Sequence, residues 1–212
     1  MPSRRSLARS LEAVSDFTEP RVDLEQYLTP PEIAAHVCHT GALQGDLEGR
    51  TVVDLGTGTG MLAIGAQFAE PDRVVGVDRD PTVLAQARRN ERRVLGREAT
   101  EWLVADAARP PLCLDNATVL SNPPFGAQRG NRHTDRAFLE ATSRIAAVSY
   151  TFHNTGSRAF VESFATDRGG TVTHAFEARF ELDRRFPFHT AETKSIDVEV
   201  FRIEWDGRIE ES

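Results

Sequence analysis

The sequence is poor in lysine, cysteine and long apolar runs, and each shortage excludes something. Of 25 basic residues in the 212-residue chain only Lys194 is a lysine, and the rest are arginines. The two cysteines, Cys38 and Cys113, form no C-x-x-C, so neither a disulfide framework nor a cysteine-based zinc site is signalled. No stretch approaches about 18 consecutive apolar residues, so no transmembrane helix is predicted. Positive charge is also short: 32 acidic residues give a formal net charge of -7. High acidity with almost no lysine fits a high-salt cytoplasm, that of a haloarchaeon. A GC-rich codon bias favouring arginine explains the same imbalance. At face value, net acidity opposes nucleic-acid binding, because phosphate contacts need cations.

What is present reads as one α/β unit. Residues 1–10 are rich in Arg and Ser but contain no apolar signal-peptide core. Leu7, Leu11 and Val14 recur at helical spacing, with Glu12 and Asp16 following, which predicts an amphipathic helix of a cytoplasmic protein. A second helix is expected over 30–41. Thr29 is placed to cap it, Pro30 and Pro31 suit its first turn, and Glu32 favours its N-terminal dipole. A loop is expected from Gly41 to Gly49. Strands then follow at 51–55, 73–77, 101–105, 117–121 and 148–152, with helices at 61–69, 81–95, 135–147 and 157–166. Two longer β segments, 171–182 and 195–205, close the chain without an intervening helix. This order predicts a seven-stranded, mostly parallel sheet covered by helices, with an antiparallel pair at one edge. Residues 1–45 are expected to form a helical cover and 46–212 the main domain, as one structural unit.

The first strand runs into Asp54-Leu-Gly-Thr-Gly-Thr-Gly60 and then a helix. Glycines at 56, 58 and 60 allow a sharp turn and close backbone approach to a ligand. No Lys-Ser/Thr follows, which excludes a Walker phosphate loop, and Met61 breaks the dinucleotide pattern. The second strand ends at Asp78, 18 residues beyond Gly60, where a carboxylate can accept both hydroxyls of a ribose. The third ends at Asp106, whose carboxylate together with the Ala107 N–H can bind an adenine. A glycine turn alone is compatible with a tight strand-to-helix loop. With acids at the next two strand ends, the pattern fits S-adenosylmethionine better than a pyrophosphate cofactor.

The fourth strand ends in Ser121-Asn122-Pro123-Pro124-Phe125-Gly126. Two prolines stiffen this loop and remove competing N–H donors. The Asn122 side-chain oxygen and the Pro123 carbonyl can then both accept from one planar amine, while Phe125 stacks on the ring carrying it. Such a site selects an exocyclic base amine or a side-chain amide and works by positioning. Phenylalanine rather than tyrosine at 125 favours a base.

With these residues in place, the chain resembles the small-subunit ribosomal RNA adenine methyltransferases of the eukaryotic methyltransferase-like group and their archaeal relatives. The resemblance runs over nearly the whole sequence. It is carried by Glu25-Gln-Tyr27 with Thr29-Pro30, the 54–60 turn, Gly76-Val-Asp78 and Asn122-Pro-Pro-Phe-Gly126. Further on it includes Thr134-Asp135 with Phe138-Leu139, Tyr150 to His153, and Phe188-His189 with Lys194-Ser-Ile-Asp-Val-Glu199. It implies a Rossmann-like class I methyltransferase fold and S-adenosylmethionine contacts from Gln26, Thr29, Gly56, Thr59, Asp78, Asp106 and Ala107. Asp54, Gly58 and Gly60 belong to the same cofactor turn. It implies a base pocket at residues 122–125, methylation of an adenosine N6 amine in small-subunit rRNA, and a small zinc-containing activator protein that pairs with a sheet edge. Two departures stand out. Thr190-Ala-Glu-Thr193 replaces the family's basic cluster, and Arg129, Arg132 and His133 stand where lysines are common.

Other residues have two readings. His36 and His39 beside Cys38 lack an acidic or cysteine partner at ligand spacing and read as core or surface histidines rather than a metal site. Tyr27 and Phe188 either stack on flanking bases or pack in the core. Arg129, Arg132, Arg136, Arg184, Arg185 and Lys194 either follow an RNA backbone or form solvated faces. Reaching Asn122 requires the adenine to leave its stack, which favours a single-stranded or locally melted substrate. The rivals are glutamine methylation of a release factor and a non-catalytic RNA-binding assembly factor.

Overall fold

The computed structural model describes residues 1–18, 20, 26–114, 116–124, 134–182 and 194–206. Two helices, α1 (Arg4–Leu11) and α2 (Pro31–Leu43), precede the sheet. Then come β1 (Thr51–Leu55), α3 (Met61–Ala66, extended by a 3-10 turn to Ala69), β2 (Arg73–Asp78), α4 (Pro81–Leu95), β3 (Thr100–Val104) and β4 (Ala117–Ser121). The chain finishes with α5 (Thr134–Ile145), β5 (Ala146–Asn154), α6 (Arg158–Asp167), β6 (Gly170–Leu182) and β7 (Lys194–Trp205).

The seven strands are ordered β3-β2-β1-β4-β5-β7-β6. The first five are parallel to their neighbours, and β7 runs antiparallel to both β5 and β6. This is the predicted seven-stranded sheet with its antiparallel edge. The interior strands are apolar on both sides, as sheets covered on two faces require. On one face Leu7, Leu11, Val37 and Ile64 of α1, α2 and α3 pack on Tyr150 and Phe152. On the other, Phe138 and Leu139 of α5 and Val161 and Phe164 of α6 pack on Val119 and Phe201.

Local chemistry sets the helix ends. Ser3 caps α1 by accepting from the Ser6 N–H, and Asp80 caps α4 by accepting from Thr82 and Val83. Gly96, at φ 69°, ends α4. Three expectations need correction. Pro30, not Thr29, occupies the N-cap of α2, and no side chain caps it; the Thr29 hydroxyl is used elsewhere. The helix also continues through Gly41 to Leu43; Gly41 is no helix stop but a point of close packing, where an added Cβ would sit 3.1 Å from Leu47 Cγ. Finally, α5 stops at Ile145 and β5 begins at Ala146. Pairing of Ala146 with Ala117 outweighs the helix preference of the alanines.

A buried ion pair ties the loop after α2 to the antiparallel edge. Arg202 is bidentate to Asp46, at 2.8 and 2.9 Å, and both side chains are nearly fully buried. The Tyr150 hydroxyl donates to the same carboxylate at 2.6 Å, and Arg202 also reaches Thr173 and Glu204. The remaining donors and acceptors are thereby satisfied, as a charge in the interior demands.

Candidate active site

The chain leaves β1 to build β2 and β3 on one side and returns to build β4 and β5 on the other. A crevice opens at that switch point, outside the carboxyl ends of the strands. It holds a cavity of about 450 Å³.

The glycine turn forms its floor. Gly56 and Gly58 have φ of 72° and 54°, where an L side chain is strained. The N–H groups of Gly56 and Thr57 both donate to the Val77 carbonyl at 2.9 Å, stitching the turn to β2. Asp54 supports it from below. Its Oδ2 accepts from the Thr57 hydroxyl at 2.6 Å and from the Ala63 N–H at 3.0 Å, which locks the turn onto the start of α3. Burial pushes this carboxyl up to about 7, against the lowering effect of both hydrogen bonds, and the nearby Asp78 charge adds to the rise.

Acids follow at the next two strand ends. Asp78 accepts from the Gly58 N–H and the Asp80 N–H, each at 3.0 Å, and burial raises its pKa. The Asp106 carboxylate accepts from the Ala108 N–H at 3.0 Å, and Ala107 beside it is buried. Both acids line the cavity.

Asn122 closes the far side. Its Nδ2 donates to the Thr29 hydroxyl at 2.9 Å. Its Oδ1 is buried and, among the described residues, has no hydrogen-bond partner. A buried unsatisfied acceptor costs about 1–3 kcal/mol, so it marks a place where a donor is to arrive. The Ser121 hydroxyl donates to the Leu55 carbonyl at 3.1 Å, anchoring the start of this loop to β1.

The structure brings most of the sequence-predicted residues to this cavity. Gln26, Tyr27 and Thr29 line it from the N-terminal segment; Gly56, Gly58 and Thr59 from the turn; Asn122 and Pro124 from the loop after β4. Gly60 instead caps α3 at φ 86° and packs on Trp102, where a Cβ would lie 2.9 Å from the ring. Pro123, between the lining residues Asn122 and Pro124, is buried. Phe125, Arg129, Arg132 and Phe188, with Arg184 and Arg185, lie outside the described residues. Lys194 begins β7, opposite Leu182. His36 stacks on Phe176 and Cys38 is buried. Sequence reasoning missed Phe17 as a wall of the cavity and gave Phe138 no role there. Their rings lie against Gly58 and Gly56. The only available signal was indirect: two positive-φ glycines bare the backbone and leave room for a covering ring.

The methyltransferase small domain family matches residues 41–148. The Drosophila melanogaster rRNA N(6)-adenosine-methyltransferase Mettl5 is 33% identical over 94% of this chain and 95% of its own length. The Danio rerio rRNA N(6)-adenosine-methyltransferase METTL5 is 32% identical, over 92% and 95%. The crystal structure of the protein PH1948 from Pyrococcus horikoshii superposes with a TM-score of 0.85 at 32% identity, covering 97% of this chain and 98% of that one. The chain belongs to this methyltransferase family. Its cofactor is S-adenosylmethionine, and the cavity fits that molecule. Gly56, Gly58 and Thr59 form the floor between the Phe17 and Phe138 rings, Asp78 and Asp106 present carboxylates at the ends of neighbouring strands, and Asn122 presents an acceptor across from them.

Proposed function

We propose that this methyltransferase methylates the N6 amine of an adenosine in small-subunit ribosomal RNA. The observation that carries the reading is the buried, unpartnered Asn122 Oδ1 in the cofactor cavity. An acceptor held there selects an N–H donor and orients it. The Pro123 carbonyl supplies the second acceptor for the same amine, so both of its hydrogens are held and its lone pair faces the cavity. No general base of high strength is needed for positioning of this kind; the amine proton leaves to water or to Asn122.

Gln26, Thr29, Gly56, Thr59, Asp78, Asp106 and Ala107 are the residues assigned to the cofactor, with Asp54 holding the turn in shape. When bound, S-adenosylmethionine supplies an electrophilic methyl group. Tyr27 lines the cavity and is suited to stacking on a base beside the target. The relatives that cover nearly the whole chain carry rRNA adenosine names, which supports RNA over a release-factor glutamine as substrate.

The reading includes a small zinc-containing activator protein. β3 is an open edge of the sheet, and Val104 at its end is 55% exposed, an apolar group suited to such a cover. A ribosomal substrate places the enzyme in the cytoplasm. The acidic, lysine-poor composition supports a haloarchaeal, high-salt setting.

The test is to incubate the purified protein with radiolabelled cofactor and either a small-subunit rRNA transcript or a release-factor fragment. Label should enter the RNA as N6-methyladenosine, and Asn122→Ala should remove at least about 99% of it, in line with losing the acceptor that orients the reacting group. Label in the protein fragment and not the RNA overturns the reading.

A further inference from the structure

Beside the catalytic cavity, α1, α2 and β6 enclose a groove of about 660 Å³ that the methyl-transfer site does not use. Its walls include Arg4, Arg5 and Arg9 of α1, and its floor includes His36 of α2 stacked on Phe176 of β6, with ring centroids 4.3 Å apart and planes 5° from parallel. The charge on this helix runs against the rest of the molecule. The sequence of α1, RRSLARSL, holds three arginines and no acid in a chain of net charge -7. Among the described residues, none of the three arginines pairs with a carboxylate, whereas Arg73, Arg92, Arg158, Arg179 and Arg202 all do.

We propose that this groove holds backbone phosphates of the RNA next to the target adenosine. The inference rests on the RNA reading given above. Three relationships support it. First, the groove starts where the catalytic site ends. Thr29 contacts Asn122, and Glu32 and Ile33, about one helical turn further along the same segment, already line the groove. Second, β6 and β5 are both antiparallel to β7, so β6 runs the same way as β5. Its C-terminal half, including Phe176, therefore approaches the sheet edge that carries Asn122. A strand leaving the cavity meets the groove without turning back. Third, Arg5 and Arg9 are four residues apart on a helix, which puts them about 6 Å apart along its axis. That is comparable to the step between successive phosphates of an extended strand.

Glu12, Glu32 and Glu177 also line the groove, and Arg179 is already paired with Asp197 at 2.6 Å. The attraction is therefore confined to the α1 wall, and the number of phosphates held is small. Such a site suits a protein whose overall acidity repels nucleic acid: it confines RNA to one track and leaves the rest of the surface unattractive.

The experiment compares the full-length protein with Arg4→Gln/Arg5→Gln/Arg9→Gln. Glutamine has nearly the same helix preference as arginine, so α1 should persist. Binding of a fluorescently labelled single-stranded rRNA segment is followed by anisotropy across a KCl series, and cofactor binding is followed by calorimetry. The triple variant should bind RNA about ten-fold or more weakly at low salt, and its log K against log [salt] slope should flatten by about 2, near 0.7 per lost phosphate contact. KM for RNA should rise with kcat and cofactor affinity unchanged, and lysine at the same three positions should restore binding. If the glutamine variant binds RNA with unchanged affinity and salt slope, the groove does not hold phosphates, while the RNA reading stands. If the wild-type protein binds the cofactor yet neither binds nor methylates RNA, the RNA reading fails and this inference fails with it.

Discussion

The hydrogen bond from Asn122 Nδ2 to the Thr29 hydroxyl, 2.9 Å long, joins residues 93 positions apart and sets the nitrogen end of the asparagine amide against the N-terminal segment. With its nitrogen on Thr29, the amide presents its oxygen, a buried acceptor with no partner among the described residues. Thr29→Val removes the acceptor that holds the amide and leaves a buried N–H unpaired. A cost of about 1–3 kcal/mol corresponds to a fall in kcat of roughly five-fold to about 160-fold, whereas Thr29→Ser should retain most activity. Steady-state kinetics beside cofactor calorimetry checks this: kcat should move further than cofactor affinity.

Two buried groups give opposite pH dependences of stability. Asp54 is pushed from 3.8 up to about 7, so its folded-state contribution is fully present below about pH 4 and is lost as pH rises toward 7. Burial pushes His153 from 6.5 down to about 4, so its contribution is present above about pH 6.5 and is lost as pH falls toward 4. Each group contributes a slope of at most about 1.4 kcal/mol per pH unit within its window. Urea denaturation between these pH values should show Asp54→Asn gaining stability relative to wild type as pH rises. His153→Gln should lose less than wild type on acidification.

The Asp46–Arg202 pair is the other buried electrostatic element. Arg202→Met strands a carboxylate that, among the described residues, keeps only the Tyr150 hydroxyl and should destabilise the fold by about 3–5 kcal/mol. Asp46→Leu/Arg202→Met together should recover much of that loss. Thermal melts of the three variants measure it, and cofactor affinity below the melting range should stay close to wild type.

Gly76 of β2 lies under Trp102, and a Cβ there would come within 2.5 Å of the indole ring. Gly76→Ala should therefore cost about 1–3 kcal/mol through overpacking. Adding Trp102→Leu should reduce that cost, giving a favourable coupling in a double-mutant cycle measured by urea denaturation.

Much of this architecture was legible in the sequence because the determinants are local. The runs at 51–55, 73–77 and 117–121 are largely apolar and buried, and the glycine turn, Asp78, Asp106 and Asn122 each sit at or within two residues of a strand's end. Parallel strands carry all four to one edge, so reading the order of elements was enough to assemble the cavity. What escaped depended on distant packing. Thr29 has the chemistry of a helix cap, and only the approach of Asn122 from β4 gives its hydroxyl a different partner. Asp54 lines the cavity as the glycine turn suggested, but that its Oδ2 also buttresses the turn through Thr57 and Ala63 shows only in the fold. Phe17 as a wall and the Asp46–Arg202 pair, 156 residues apart, have no sequence periodicity to reveal them. The face formed by α1 against β6 was equally hidden, since Arg4, Arg5 and Arg9 read as an ordinary amphipathic helix until Phe176 is placed beside them.

The central claim is that Asn122 presents an RNA adenosine amine to the cofactor cavity. It is tested most directly by digesting small-subunit rRNA from cells with the gene, without it, and with Asn122→Ala in its place, and quantifying N6-methyladenosine by mass spectrometry. The expected result is one modified adenosine present with the wild-type gene and absent from both other strains. Equal N6-methyladenosine in all three strains would contradict the substrate, and full modification in the Asn122→Ala strain would contradict the mechanism.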